Sequence, residues 1–205
     1  MLSKVTSSTV YGLDAYRVDV EVDMSPGLPM FSIVGLPDAA VKESVERVRS
    51  AIQNSGYEFP RNKTVVNLAP ADIKKAGSHY DLGIALGYLL ASGQVRSPDL
   101  SRALVVGELA LDGHLRPING ALSIAHLASA RGFTHVLLPE ANAREAAIIK
   151  NVQVIPVRTL RDWLFMMGTV LLPHDDAGKV SSQCRLKAGP LLEHQFPKLF
   201  DPQLV

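Results

Sequence analysis

Disulfides are the first thing missing. The chain has one cysteine, Cys184, in 205 residues, so no disulfide framework is available and a reducing compartment, the cytoplasm, is the expected setting. Long apolar runs are missing too. The longest, Trp163 to Leu172, is broken by Gly168 and Thr169 and falls far short of the roughly 20 residues that a membrane span requires. Met1 to Ala15 lacks the uninterrupted apolar stretch of a signal peptide. Charge of one sign is not in excess: the net charge is +1, so no overall field demands a nucleic acid or a membrane as partner. The six histidines, His79, His114, His126, His135, His174 and His194, show no i, i+4 pair or paired-cysteine spacing, and no metal site is expected. No Gly-x-x-x-x-Gly-Lys-Ser/Thr phosphate loop occurs. Lysine is absent from Ala76 to Ile149, a gap that bears on catalysis.

What is present is enough apolar residue, 47% of the chain, for one medium domain with a real core and a tail. Tyr16 to Asp23 alternates Val18, Val20 and Val22 with Arg17, Asp19, Glu21 and Asp23, which predicts a half-exposed strand in an antiparallel sheet. Met1 to Val10 is its expected hairpin partner across Tyr11-Gly12. A short strand over Phe31 to Val34 lies between two Gly-Leu-Pro triplets. Asp38 is placed to cap a helix whose apolar stripe is Val41, Val45, Val48 and Ile52. Lys63 to Val66 reads as a buried strand, and Leu82 to Ala91 as a helix apolar nearly all round. A strand over Ala103 to Leu111 is expected to return through Asp112-Gly113. Helices at Ala121 to Ala130, Ala141 to Ile149 and from Thr159-x-x-Asp162 onward then alternate with strands at His135 to Leu138 and Val152 to Val157. That order predicts parallel strands joined by right-handed crossovers.

The chemistry turns on the loop between Asn67 and Leu82. Such strand-loop-helix passages often hold phosphates or nucleophiles. Lys74-Lys75-Ala76-Gly77-Ser78 echoes a phosphate loop only loosely, because its glycine follows the lysines. Ser78 beside two lysines suits a Ser-Lys dyad. Against that, Ser78-x-x-Asp81 has the form of a capping box, which makes Gly77, Ser78 and Asp81 a structural loop. From Arg47 to Lys75, the basic residues Arg47, Arg49, Arg61, Lys63, Lys74 and Lys75 stand against only Glu58 and Asp72. This local excess is a candidate surface for DNA or a partner. A base-stacking platform for single strands is not expected there.

Several segments taken together resemble a known family. They are Gly27-Leu28-Pro29, Phe31 to Pro37, Ala40 to Ser44, Arg47 to Ile52, Glu58-Phe59-Pro60, Thr64 to Asp72, Tyr80-Asp81-Leu82, Ile84 to Gly87 and Ala91 to Gln94. Gly107-Glu108-Leu109, Gly113, Leu115 to Ile118 and Leu137-Leu138-Pro139 continue the likeness. The resemblance is to the magnesium-chelatase-like AAA+ ATPases of the ComM/YifB type, over roughly Leu2 to Leu172. One departure is Gly83, where the family usually has proline.

The resemblance implies an α/β (α+β) fold like the Lon protease domain, itself ribosomal-protein second-domain-like. It would have an N-terminal mostly antiparallel sheet and a C-terminal α-β-α-β-α part. Residues 1–172 are then the N-terminal domain, and 173–205 a linker or disordered tail in place of the AAA+ module, as in a truncated or frameshifted product or a fragment. ATP and magnesium would belong to that missing module, and no cofactor to this fragment. The implied partners are the AAA+ module and DNA, with hexamers only in the full-length form and no membrane. The implied setting is branch migration of recombining DNA in natural transformation.

A Lon-type hydrolase needs a serine in the central loop and a desolvated lysine further on. Aligned through Asp81-Leu82, the serine position falls on His79, next to Ser78. The lysine position falls within Ala121 to Ile124, best matched by Ile124. The expectation is therefore a non-catalytic domain acting in assembly or DNA contact. A divergent serine hydrolase using Ser78 and a stand-alone RadA-like DNA-binding module are the alternatives.

Overall fold

The structure, a computed structural model, describes residues 1–59, 62–95 and 100–166. Arg61 and the 173–205 tail lie outside the described residues. Strands β1 (Leu2–Tyr11) and β2 (Asp14–Ser25) form the expected antiparallel hairpin. The alternation of β2 does what its period dictates, with Val18, Val20 and Val22 fully buried. Strand β3 (Met30–Val34) follows, then helix α1 (Ala39–Asn54) and strand β4 (Lys63–Ala69). β4 pairs antiparallel with β2 and parallel with β3, so the first sheet has the order β1-β2-β4-β3.

Asp38 caps α1 as its sequence position predicts, its Oδ1 accepting the Val41 N–H at 2.8 Å. The buried face of α1 is Val41, Ser44, Val48, Ala51 and Ile52. Helix α2 (Asp81–Ala91) is buried on every side except at Leu90. It lies directly on the hairpin because it carries glycine where the approach is closest: a Cβ at Gly87 would stand 2.7 Å from Val22 Cγ2. There the Ser3 hydroxyl donates to the Gly87 carbonyl at 2.6 Å.

The expected strand over Ala103 to Leu111 is divided. Strand β5 (Ala103–Val105) enters a second sheet, while β6 (Glu108–Leu109) pairs with β7 (Leu115–Arg116) in a small hairpin. The break is at Gly107, whose N–H donates to the His79 carbonyl and whose carbonyl accepts from Leu82 N–H. A Cβ there would be 2.8 Å from Leu115 Cδ2. The C-terminal part is α3 (Ala121–Ala130), β8 (His135–Pro139), a 3₁₀ turn at Glu140–Asn142, α4 (Ala143–Ala146), β9 (Gln153–Val157) and α5 (Leu160–Met166). The helix expected over Ala141 to Ile149 is thus a shorter turn-and-helix. Its start is held by Asn142, whose amide is spent on both backbone groups of Ile118. Thr159 Oγ1 caps α5 through Asp162 N–H at 3.0 Å.

β8 and β9 pair parallel as predicted, and β5, expected in a hairpin, joins them, so the second sheet β5-β8-β9 is wholly parallel. Both its faces are buried. Leu137, Ile155 and Val157 join the core built by the first sheet, α1 and α2. Leu104, Val136 and Leu138 join a second core built on α3. Among the described residues no helix is long and apolar enough to cross a membrane.

Candidate functional site

The central loop leaves β4 at Pro70 and is tied down along its length. Lys75 N–H donates to the Leu36 carbonyl at 3.1 Å, and Asp38 N–H to the Lys75 carbonyl at 2.9 Å. Asp38 Oδ2 accepts from Gly77 N–H at 3.3 Å, so one carboxylate both caps α1 and holds the loop. The Ser78 hydroxyl donates to Glu108 Oε2. Glu108 also stands 3.6 Å from Arg116.

The capping box is not formed. Helix α2 begins at Asp81 behind Tyr80, with no side-chain cap. Both of the box's side chains are engaged elsewhere, Ser78 with Glu108 and Asp81 with α1. Asp81 is fully buried. Its Oδ1 accepts from Ser44 Oγ at 2.5 Å and its Oδ2 from Arg47 Nε at 2.7 Å and Leu109 N–H at 3.2 Å. Burial pushes the Asp81 carboxyl upward against the pull of those donors. Asp81 thus joins α1, α2 and β6 at one point. Sequence reasoning missed this role because the partners lie 28 to 37 residues away.

The implied catalytic positions carry no dyad. His79, at the implied serine position, has a buried Nε2 with no hydrogen-bond partner. Burial lowers its pKa, which favours the neutral ring. Ile124, at the implied lysine position, is fully buried in the second core. The nearest lysine in sequence, Lys75, is fully buried and turns its amine to the Pro70 carbonyl. Burial lowers the Lys75 pKa below 10.5.

The sign of its pH effect follows. With a depressed folded value, the charge on Lys75 penalises the folded state fully below that value. The penalty lifts as pH rises from there to the unfolded value of 10.5. Lys75→Met is expected to raise stability at neutral pH and to flatten this alkaline rise, measured as urea midpoints against pH for both proteins.

Not all of the basic window reaches the surface. Lys63 and Lys74 are exposed. Arg49 is partly exposed, 3.4 Å from Glu46 and with its guanidinium 5.2 Å from the Phe59 ring centre. Arg47 is committed to Asp81, and Lys75 has no exposed surface; these two are withdrawn from any surface patch. The window does hold aromatics, Tyr57 and Phe59, and the fold adds others to Phe59. Phe59 stacks on Tyr88 at 4.3 Å and on Phe31 at 5.8 Å, beside a cleft of about 420 Å³ lined by Met30, Phe31, Arg49, Gln53, Phe59 and Asn62 among others.

A mostly antiparallel sheet, a central loop running into a buried helix, and a small parallel sheet define a Lon-protease-like α/β domain. The Lon protease of Endomicrobium trichonymphae is 25% identical over 150 residues, 67% of this chain and 18% of that protein. The family described as subunit ChlI of Mg-chelatase matches residues 20–142, and the chain belongs to that magnesium-chelatase-like family. The protein YifB of Salmonella typhimurium LT2 is 46% identical over 150 residues, 73% of this chain and 29% of the relative. The competence protein ComM of Haemophilus influenzae Rd is 39% identical over 173 residues, 84% of this chain and 34% of the relative. The chain spans about a third of the length of the curated relatives it matches.

Proposed function

We propose that this chain is the non-catalytic N-terminal domain of a ComM/YifB-type AAA+ ATPase, cytoplasmic, serving the ATPase module in assembly or DNA contact. ATP and magnesium belong to that module. The reading draws on the likeness to the competence protein ComM, and through it on natural transformation and DNA branch migration by a hexameric full-length protein. The observation that carries the non-catalytic half is the state of the central loop. Its serine donates to a carboxylate, a far weaker base than a neutral amine. The position implied for the lysine is filled by Ile124 in the apolar core.

Arginine cannot take lysine's place as the base, because it stays protonated. Loss of an essential group of a serine protease's machinery costs on the order of 10⁶ in rate. The chain, incubated with fluorogenic peptides and aryl esters, should therefore show no turnover that Ser78→Ala removes. Turnover lost with that hydroxyl would restore the divergent-hydrolase alternative.

The same preparation separates the two non-catalytic roles. In a DNA-contact role, binding falls steeply with salt, and the log–log slope drops by about 0.9 for each phosphate-contacting cation removed in Arg49→Ala/Lys63→Ala/Lys74→Ala. Binding unchanged in that variant removes this face from the DNA role and leaves assembly.

A further inference from the structure

Strand β3 is the open edge of the first sheet, and none of its five residues is fully buried. Natural edge strands are usually blunted by charge, by bulges or by a covering element. This one is not. The eleven residues Gly27 to Pro37 carry no charged side chain, in a chain whose residues are 20% charged. They do carry exposed apolar groups: Leu28 is 87% exposed, Met30 47%, Val34 44% and Leu36 55%.

We propose that β3 is a self-association surface, pairing antiparallel with β3 of a second copy about a two-fold axis through Ser32. It rests on the assembly half of the reading above and goes beyond it, since a two-fold pairing closes at two copies and joins chains edge to edge rather than into a ring. The argument is register. A two-fold centred on Ser32 sets Met30 opposite the second copy's Val34. The two exposed apolar groups of the strand thereby meet each other, and Phe31 meets Ile33 on the core side.

The backbone agrees. Met30 N–H is turned inward, donating to the Asn62 carbonyl at 3.3 Å. Alternation along a parallel ladder then turns the amides and carbonyls of Phe31 and Ile33 outward. Those are the two residues that this register makes hydrogen-bonded pairs, leaving Ser32 opposite Ser32 as the non-hydrogen-bonded pair. Pro29 has no N–H to donate and ends the ladder. An uncharged strand that reads as its own complement selects a second copy over a charged partner segment. The product is one continuous eight-stranded sheet.

The test uses the whole chain. Sedimentation at roughly 100 µM, where a small interface of this kind populates, is expected to show a dimer that dissociates on dilution. Ser32→Lys lies on the outer face of the sheet and places two like charges on the axis; it should give a monomer with an unchanged melting curve. In a Cys184→Ser background, Ser32→Cys should form an interchain disulfide on mild oxidation. Non-hydrogen-bonded antiparallel pairs bring Cα atoms to about 4.5 Å, within disulfide reach. Met30→Cys alone should not cross-link, but mixed with Val34→Cys it should. A monomer at that concentration, a Ser32→Lys variant that still dimerises, or cross-linking indifferent to register would overturn the proposal. The hydrolysis assay is untouched by any of these results, so failure of the edge and failure of the non-catalytic reading are told apart.

Discussion

Asp81→Ala is expected to cost about 3–5 kcal/mol, the range found when one partner of a buried ion pair is removed. The substitution strands the Arg47 guanidinium, whose side chain is only 21% exposed, and orphans the Ser44 hydroxyl and the Leu109 amide. Since single domains hold only about 5–15 kcal/mol in total, the variant should sit near the edge of folding. The measurement is urea denaturation followed by Trp163, the only tryptophan, which is fully buried beside the first core.

A double-mutant cycle adds the specificity. Arg47→Ala alone leaves a buried carboxylate without its cation and should be costly too. The pair together should lose less than the sum by up to about 3 kcal/mol, because the second removal strands nothing further. Strict additivity would show that Asp81 and Arg47 act independently, and would remove the ion pair as the fastening between α1 and α2.

Gly35→Ala should be comparably severe. Gly35 sits at φ +97°, and a Cβ there would stand 2.2 Å from the Leu68 carbonyl oxygen and 2.9 Å from its carbon. Both are backbone atoms of a paired strand, so no rotamer change relieves the clash. Overpacking costs about 1–3 kcal/mol and an unsuitable backbone conformation a similar amount. About 3–5 kcal/mol of lost stability in urea is the expected total. Gly12→Ala is the control: its φ is +63° but nothing lies within 4 Å of an added Cβ, so only the left-handed penalty of about 1–2 kcal/mol applies. Equal losses at the two sites would show that conformation rather than the close approach to Leu68 governs Gly35.

Much of the architecture could be read from local pattern. The valines of β2, the Asp38 cap, the nearly all-apolar run Leu82 to Ala91 and the α-β alternation after Ala121 each express a rule that acts within a few residues, and each appears in the structure. What could not be read are uses of side chains set by distant partners. Ser78 and Asp81 have the spacing of a capping box, but Glu108 and Arg47 claim them across 30 and 34 residues. The basic window counted charges along the chain, whereas folding buries Lys75 outright and pairs Arg47 with Asp81. Phe31 and Tyr88 are far from that window in sequence, yet both stack on the Phe59 ring that underlies Arg49. The break at Gly107 had a visible marker, the glycine itself, but its cause is the pair of hydrogen bonds from the central loop.

The sheet β5-β8-β9 serves two apolar interiors at once, since alternate residues of the same strands supply each. Slipping any of these strands by a single residue would exchange the two sets of side chains and spoil both interiors together. Neither half of the molecule can therefore loosen as a private event. The hairpin end and the α3 end are expected to unfold together, as one cooperative unit.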